Sequence, residues 1–333
     1  MKLPLWGPFS QLVDELTLLG VTSLQYPRGF SATRAGVPPS FDQLLEEVRR
    51  APPRIAWPAR LDRKARVPVE VPAAGGRTFL DWWPAPSSRR GRPADTLVVY
   101  HHGLAEVVHD VVPRILSVRG PLRRRCDWAV LKALHHESLA QVHARFTACR
   151  DGFMRCLLAS AAVARHVAKT HRGRYKHLVL CGVSLGGLVT QVEACREPRY
   201  DLYVPMVSGP DLLDVLCRSS FSRGIQASRV REARRGEWKL SLDLSGLLAR
   251  DPHGPPIRPL LASHDRLFRY PAQRAAWDRV PRARVSVAPG GHITVAANTL
   301  ALRWHLLAAL GEVCWNPAQA APAPIHSAMA VGA

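Results

Sequence analysis

No two cysteines in this chain stand in C-x-x-C spacing, and the seven present are odd in number. Both facts argue against a zinc ribbon and against a disulfide framework. The expectation is reduced core thiols in a cytoplasmic protein. Long apolar runs are missing as well. Pro, Gly, Gln, Asp and Glu interrupt the N-terminal apolar residues, so no signal-peptide core is read there, and no segment is long enough to span a bilayer. Acidic residues are scarce: 26 Asp+Glu stand against 46 Lys+Arg, a net charge of +20. The excess is mostly arginine scattered through Ala-, Pro- and Arg-rich segments. It reads as biased composition, and no nucleic-acid partner is expected from it. No internal repeat is present. Apolar residues, by contrast, make up 47% of the 333, ample for one large α/β domain with additions.

The chain divides by pattern. Residues 1–66 read as a helical extension. Ser10 is a candidate cap for a first helix that places Phe9, Leu12, Val13, Leu16 and Leu19 on one face before Gly20. Ser40 and Gln43 form a capping-box pattern for a second helix, with Phe41, Leu44, Leu45 and Val48 on its apolar side, and Pro52-Pro53 ends it. Both faces require a surface to bury against. From Val67 the period becomes two. Val67, Val69 and Val71 alternate, Gly75-Gly76 turns the chain, and Thr78–Trp83 returns as a hairpin.

Strands and helices then alternate through about residue 312. Strands are read at 96–100, 128–134, 178–183, 202–207, 259–262 and 285–288, and helices at 107–118, 142–170, from 185, 272–280 and 294–312. This order predicts an α/β fold with a mostly parallel sheet covered by helices on both faces. An Arg- and Ser-rich stretch at about 211–255, with Arg218, Arg223, Arg229, Arg231, Arg234, Arg235 and Lys239, interrupts the alternation and is read as a cap inserted above the strand ends. Its charges are read as a solvated face, with attraction of an anionic substrate as the weaker alternative. Residues 316–333 are Ala/Pro-rich and are expected to be a disordered tail.

The chemistry concentrates at strand ends. Residues 181–187 read Cys-Gly-Val-Ser-Leu-Gly-Gly directly after the apolar run His177–Leu180. A serine on a sharp strand-to-helix turn presents its hydroxyl clear of the sheet, and glycines at 182 and 186 leave room for the chain to pass. Ser184 is therefore the candidate nucleophile. His101-His102-Gly103-Leu104 follows another strand. Late in the chain, Asp265 follows the strand 259–262, and His292 lies in Pro-Gly-Gly-His after the strand 285–288. A histidine there can reach back over the sheet edge to take the serine proton. Asp265 reads either as the carboxylate that orients that histidine or as an ordinary helix cap. Asp211, at the end of an earlier strand, is its rival. The pairs His101-His102 and His135-His136 could each offer one metal ligand at most, because neighbours on a strand point to opposite faces. No metal is expected, and these histidines are read as pocket lining.

With a strand–elbow–helix around Ser184, an earlier His-Gly after a strand, and a late Asp and His, residues 67–315 resemble the α/β-hydrolase superfamily. The resemblance implies a triad in the chain order Ser184, Asp265, His292. It implies an oxyanion hole from the backbone amides of Leu185 and Leu104, with His102 and Gly103 lining the substrate pocket and no cofactor. The sequence departs from the three-glycine loop of one lipase branch. The activity so implied is hydrolysis of a carboxylic ester or related small acyl compound. Acyl transfer with the same triad is the alternative, as is a non-catalytic binding scaffold on the same fold.

Overall fold

The computed structural model describes residues 6–23, 41–91, 94–104, 106, 108–147, 150–197, 199–225, 227–234 and 243–315. Ser40, Arg235, Lys239 and the 316–333 tail lie outside the described residues.

Strand formation follows the apolar runs. β4 (Thr96–His101), β5 (Cys126–Leu131) and β7 (Leu202–Met206) are buried at every position, as strands covered on both faces must be. β2 (Ala65–Val71) instead alternates, burying Val67, Val69 and Val71. With β1 (Arg54–Ile55), β3 (Gly76–Trp83), β6 (His177–Val183), β8 (Leu260–Ala262) and β9 (Ser286–Ala288), the described strands form one sheet in the order β1-β2-β3-β5-β4-β6-β7-β8-β9. Pairing is antiparallel from β1 through the β3–β5 contact and parallel from β5 to β9. This is the mostly parallel α/β sheet that the alternation predicts, with β1 as a short edge strand that the sequence pattern did not reveal.

The sheet order reverses at β4, because β5 lies on one side of it and β6 on the other. Crevices at such a reversal, beyond the carboxyl ends of parallel strands, are where open α/β sheets bind ligands. The parallel register sets His101 of β4 beside Gly182 of β6. The loops after those two strands therefore emerge together.

Helices cover both faces. The central cover is α5 (Arg150–His171), whose Leu157, Leu158, Val163 and Val167 are buried. The sequence predicts one helix from 142, but Val142–Thr147 is a separate, wider-wound turn. The expected helix 107–118 is shorter, α3 (Val111–Ser117), and an unexpected short helix, α4 (Gly120–Arg125), follows it. The expected helix 294–312 breaks at Asn298, whose side chain accepts from the amide of Ala301 and starts a new helix. Within the described part of 211–255, α7 (Leu212–Arg218), α8 (Ala227–Arg234) and α9 (Leu244–Ala249) are helical, Asp211 pairs with Asp243 in an isolated bridge, and α10 (Tyr270–Trp277) follows where a helix near 272–280 is expected. No helix among the described residues is long and apolar enough to cross a membrane.

The N-terminal helices differ from each other. α2 (Phe41–Arg50) buries the four apolar residues expected, Phe41, Leu44, Leu45 and Val48, and packs on α5. α1 (Trp6–Ser23) overturns the expectation. Phe9, Leu12 and Leu16 are 53%, 54% and 59% exposed, whereas Ser10 and Asp14 are fully buried. Ser10 is not a cap. It sits one turn inside the helix, and its hydroxyl donates to the Gly7 carbonyl at 3.0 Å. The helix also runs through Gly20 to Ser23. The reason for the inversion lies in what α1 docks against.

Candidate active site

Ser184 joins β6 to α6 (Leu185–Ala194) with φ 55° and ψ −111°. An L-residue adopts that backbone only when its surroundings impose it. Here they do. The Ser184 amide donates to the Met206 carbonyl of β7 at 2.9 Å. A side chain on Gly186 would run into the His101 carbonyl, and one on Gly182 into the Gly186 backbone. The two glycines let three chain segments meet behind the serine.

His292 and Asp265 arrive on loops that the β8–β9 pairing brings together. Ala262 lies opposite Ala288, and the His264 amide donates to the Gly290 carbonyl at 2.8 Å. His292 Nε2 is 3.0 Å from Ser184 Oγ, and its Nδ1 is 2.9 Å from Asp265 Oδ2. The other oxygen, Oδ1, accepts from the amides of Leu267 at 2.7 Å and Phe268 at 2.8 Å. The carboxylate is thereby fixed before it meets the imidazole. The Phe268 ring stacks on His292 with centroids 5.5 Å apart. Burial acts to lower the His292 pKa, but the Asp265 carboxylate, by charge and hydrogen bond, and Asp14 behind it carry the net shift upward. The hydrogen bonds assign the proton to Nδ1, leaving Nε2 as the acceptor facing Ser184 Oγ.

Of the rival acids, the structure brings Asp265 to the imidazole and leaves Asp211 elsewhere. Asp211 caps α7, accepting from the Asp214 amide at 2.9 Å. Leu185 is the first residue of α6, so its amide has no intrahelical partner and lies at the positive end of the helix dipole. Gly103 abuts the serine: a side chain there would sit 3.6 Å from Ser184 Cβ. Leu104 follows it and is half-buried.

His102 turns both ring nitrogens to the backbone. It is fully buried, its Nε2 accepts from the Ala133 amide at 2.9 Å, and its Nδ1 donates to the Gly103 carbonyl at 2.7 Å. Burial holds the imidazole well below its usual pKa. It braces the Gly103–Leu104 loop against β5. His101 is likewise buried, with its Nδ1 against the His102 carbonyl at 3.0 Å, and burial pushes it down to about 3. Among the described residues, no His, Cys, Asp or Glu side chains converge in threes as a ligand set.

Two residues at the site escaped the sequence reading. The first is Asp14, from α1. Its Oδ2 accepts from the His292 amide at 2.7 Å, and its Oδ1 from the Ile293 amide at 2.9 Å. These are free donors at the start of α11 (His292–Ala297), and the Asp14 carboxylate satisfies them. Gly291 is needed for this approach, since a side chain there would strike Asp14 Oδ2 and the Ser10 carbonyl. Burial raises the Asp14 pKa, against the two backbone donors. Neighbouring Glu15 accepts from Ser220 Oγ at 2.5 Å and pairs with Arg223. The second residue is Glu106, whose Oε1 accepts from the Gly103 amide at 3.0 Å. Burial pushes its carboxyl up to about 7. The polar pair Ser10 and Asp14, one turn apart on a single face of α1, was the signal that could have exposed the first.

No protein-family model matches the sequence, and no curated protein does either. Solved structures do. An acetyl xylan esterase from Thermoanaerobacterium sp. JW/SL YS485 aligns over 87% of this chain and 98% of its own, with a TM-score of 0.55 and 14% identity. An esterase from Pyrococcus furiosus aligns over 79% of this chain and 98% of its own, with a TM-score of 0.52 and 16% identity. An acylaminoacyl peptidase from Pyrococcus horikoshii aligns over 75% of this chain and 41% of its own, with a TM-score of 0.51 and 9% identity. At such identities the likeness speaks to architecture, and the architecture is that of the α/β-hydrolase fold.

Proposed function

We propose that this protein is a serine hydrolase acting on a carboxylic ester or related small acyl compound through an acyl-enzyme. The observation that carries the reading is the chain Ser184 Oγ, His292 and Asp265, linked at 3.0 and 2.9 Å at the mouth of the sheet reversal. Two of the similar folds being named esterases supports the choice of an ester bond.

In this reading Ser184 Oγ attacks the acyl carbonyl carbon while His292 Nε2 takes its proton. Asp265 keeps the imidazole in the required tautomer and stabilises the imidazolium. The amides of Leu185 and Leu104 hold the oxyanion as charge develops. The tetrahedral intermediate collapses, the C–O bond to the alcohol breaks, and His292 returns its proton to the leaving oxygen. Water then attacks the acyl-serine ester with His292 again as base, releasing the acid. Each step uses groups of this chain, substrate and water. The thiols of Cys126, Cys181, Cys195 and Cys314, which are free, support a reducing, cytoplasmic setting.

The test is covalent labelling by a fluorophosphonate probe alongside ester turnover. The wild type should label on Ser184. Ser184→Ala should neither label nor turn over, with a loss on the order of 10⁴–10⁶ in kcat. A folded Ser184→Ala variant with undiminished turnover would sink the mechanism. Absence of labelling and turnover in the wild type would favour the scaffold reading.

A further inference from the structure

A second site lies at the opposite end of the sheet from Ser184. A cleft of about 310 Å³ opens where β3 ends at Trp83 and β5 begins at Cys126. Four cationic side chains line it, Lys64, Arg89, Arg114 and Arg123, and none of its lining residues is a carboxylate. Arg114 is partly neutralised by Asp110 one turn back on the chain. Guanidinium groups gathered around one concavity repel one another, and a bound anion relieves that repulsion. Their planar forks suit phosphate oxygens in particular.

The cleft borders an apolar surface. Val118, at the end of α3, lines the cleft and is 48% exposed. Val108, Val111 and Ile115 continue from it along the same helix and its approach, with exposures of 62%, 47% and 43%. α12 (Thr299–Leu310) packs beside α3 and exposes Leu300 and Trp304 by 62% and 58%. Every large hydrophobic side chain that stands exposed among the described residues lies here or on α1.

Charge is graded across this surface. α3, α4 and α12 contain no Asp or Glu. Arg123 donates to the Val118 carbonyl at 3.3 Å, and Arg303 of α12 donates to the Arg119 carbonyl, so arginines rim the end of the α3 stripe. A soluble anion accounts for the cationic cleft but not for the valines and isoleucine beside it. A nucleic-acid backbone leaves the same apolar residues in water. An amphiphile with an anionic head answers both features.

We propose that this cleft binds the phosphate-bearing headgroup of an anionic lipid while α3 and α12 lay their exposed side chains into the adjoining acyl region. The protein would thus rest on an anionic lipid surface. The inference does not depend on the ester chemistry, since no triad residue lies in the cleft.

The experiment is co-sedimentation of the full chain with vesicles of phosphatidylcholine, with and without phosphatidylglycerol. Binding is expected only to the anionic vesicles, weakening as salt is raised. Arg89→Gln with Arg123→Gln should weaken partitioning about 30-fold, from about fivefold per basic residue. Ile115→Ser with Trp304→Ser should weaken it about tenfold or more. All these side chains except the partly buried stems are at the surface, and thermal melts of each variant check that the fold is kept. Several results would overturn the proposal. They are equal binding to both vesicle types, no vesicle binding at all, or wild-type binding by either double variant. Protection by inorganic phosphate or duplex DNA without vesicle binding would assign the cleft to a soluble anion or to nucleic acid. A dimer in sedimentation velocity that dissociates in the Ile115→Ser/Trp304→Ser variant, with no vesicle binding, would assign the surface to a second copy of the chain.

Discussion

α1 and α2 lie close together in sequence and use their faces in opposite ways. α2 turns Phe41, Leu44, Leu45 and Val48 inward against α5 and leaves its charges in water. α1 turns Ser10 and Asp14 inward and leaves Phe9, Leu12 and Leu16 outside. The partner decides. α2 meets an apolar helix, so transfer of apolar area from water sets its orientation, at roughly 1.5–3 kcal/mol for each large side chain fully buried. α1 meets the unsatisfied amides at the start of α11, and a buried carboxylate that accepts from them outweighs the apolar stripe. Hydrophobic periodicity therefore predicts which face is buried when the partner is core. It fails when the partner is the backbone of a working loop.

That contrast stands or falls first on whether the His292 loop is the working part. Asp265→Asn should lower kcat roughly 10⁴-fold by spoiling the imidazole tautomer, while Asp211→Asn should lose only a cap, about 1 kcal/mol of stability. Steady-state kinetics at a temperature where both are folded decides it. A dead Asp211→Asn beside an active Asp265→Asn would reduce α1 to scaffolding. Next, Leu44→Ala in α2 should cost about 2–5 kcal/mol in denaturant unfolding yet leave kcat per folded molecule unchanged.

The counterpart in α1 should behave the other way round. Asp14→Asn keeps only one acceptor for the two amides, so the imidazole is held less accurately. We expect kcat to fall by something on the order of 10² with little change in KM. The pH profile separates this from general loosening. Asp14 contributes to the raised pKa of His292, and the base must be neutral to act. Removing that charge lowers the His292 pKa, so the acid limb of kcat/KM should move to lower pH in Asp14→Asn. An unmoved limb would mean Asp14 acts on position alone. Smallest of all, Leu12→Gln or Leu16→Gln on the outer face of α1 should change the stability in solution by less than about 0.5 kcal/mol, a thermal-melt comparison against Leu44→Ala.

Much of this was legible in the chain. The elbow announces itself because a strand run, two glycines and a serine have one physical arrangement in common. Asp265 and His292 could be placed because parallel pairing of β8 with β9 follows from the alternation, and it carries their loops together. The Ser10–Asp14 pair hints that this face of α1 is buried, but the partner could not be placed, since backbone amides leave no mark on the sequence at positions 292 and 293. His102 shows a related effect. A histidine at a strand end reads as chemistry, while its hydrogen bonds here go to the Ala133 amide and the Gly103 carbonyl. Segmentation erred where a local cap outweighed a continuous apolar pattern, as at Asn298.

The contact between Asp14 and the His292 amide spans 278 residues. During synthesis the carboxylate leaves the ribosome long before the loop it must hold exists. Until that loop arrives, α1 has an acid with no donor on one side and exposed leucines on the other. Closing so long a loop is slow and entropically costly, so docking of α1 belongs among the late folding events. Catalytic competence would then be acquired in one step near the end of folding, and refolding experiments should see activity return with the slowest phase rather than with the helical signal. An N-terminal fusion that delays α1 would lengthen that phase without altering the sheet.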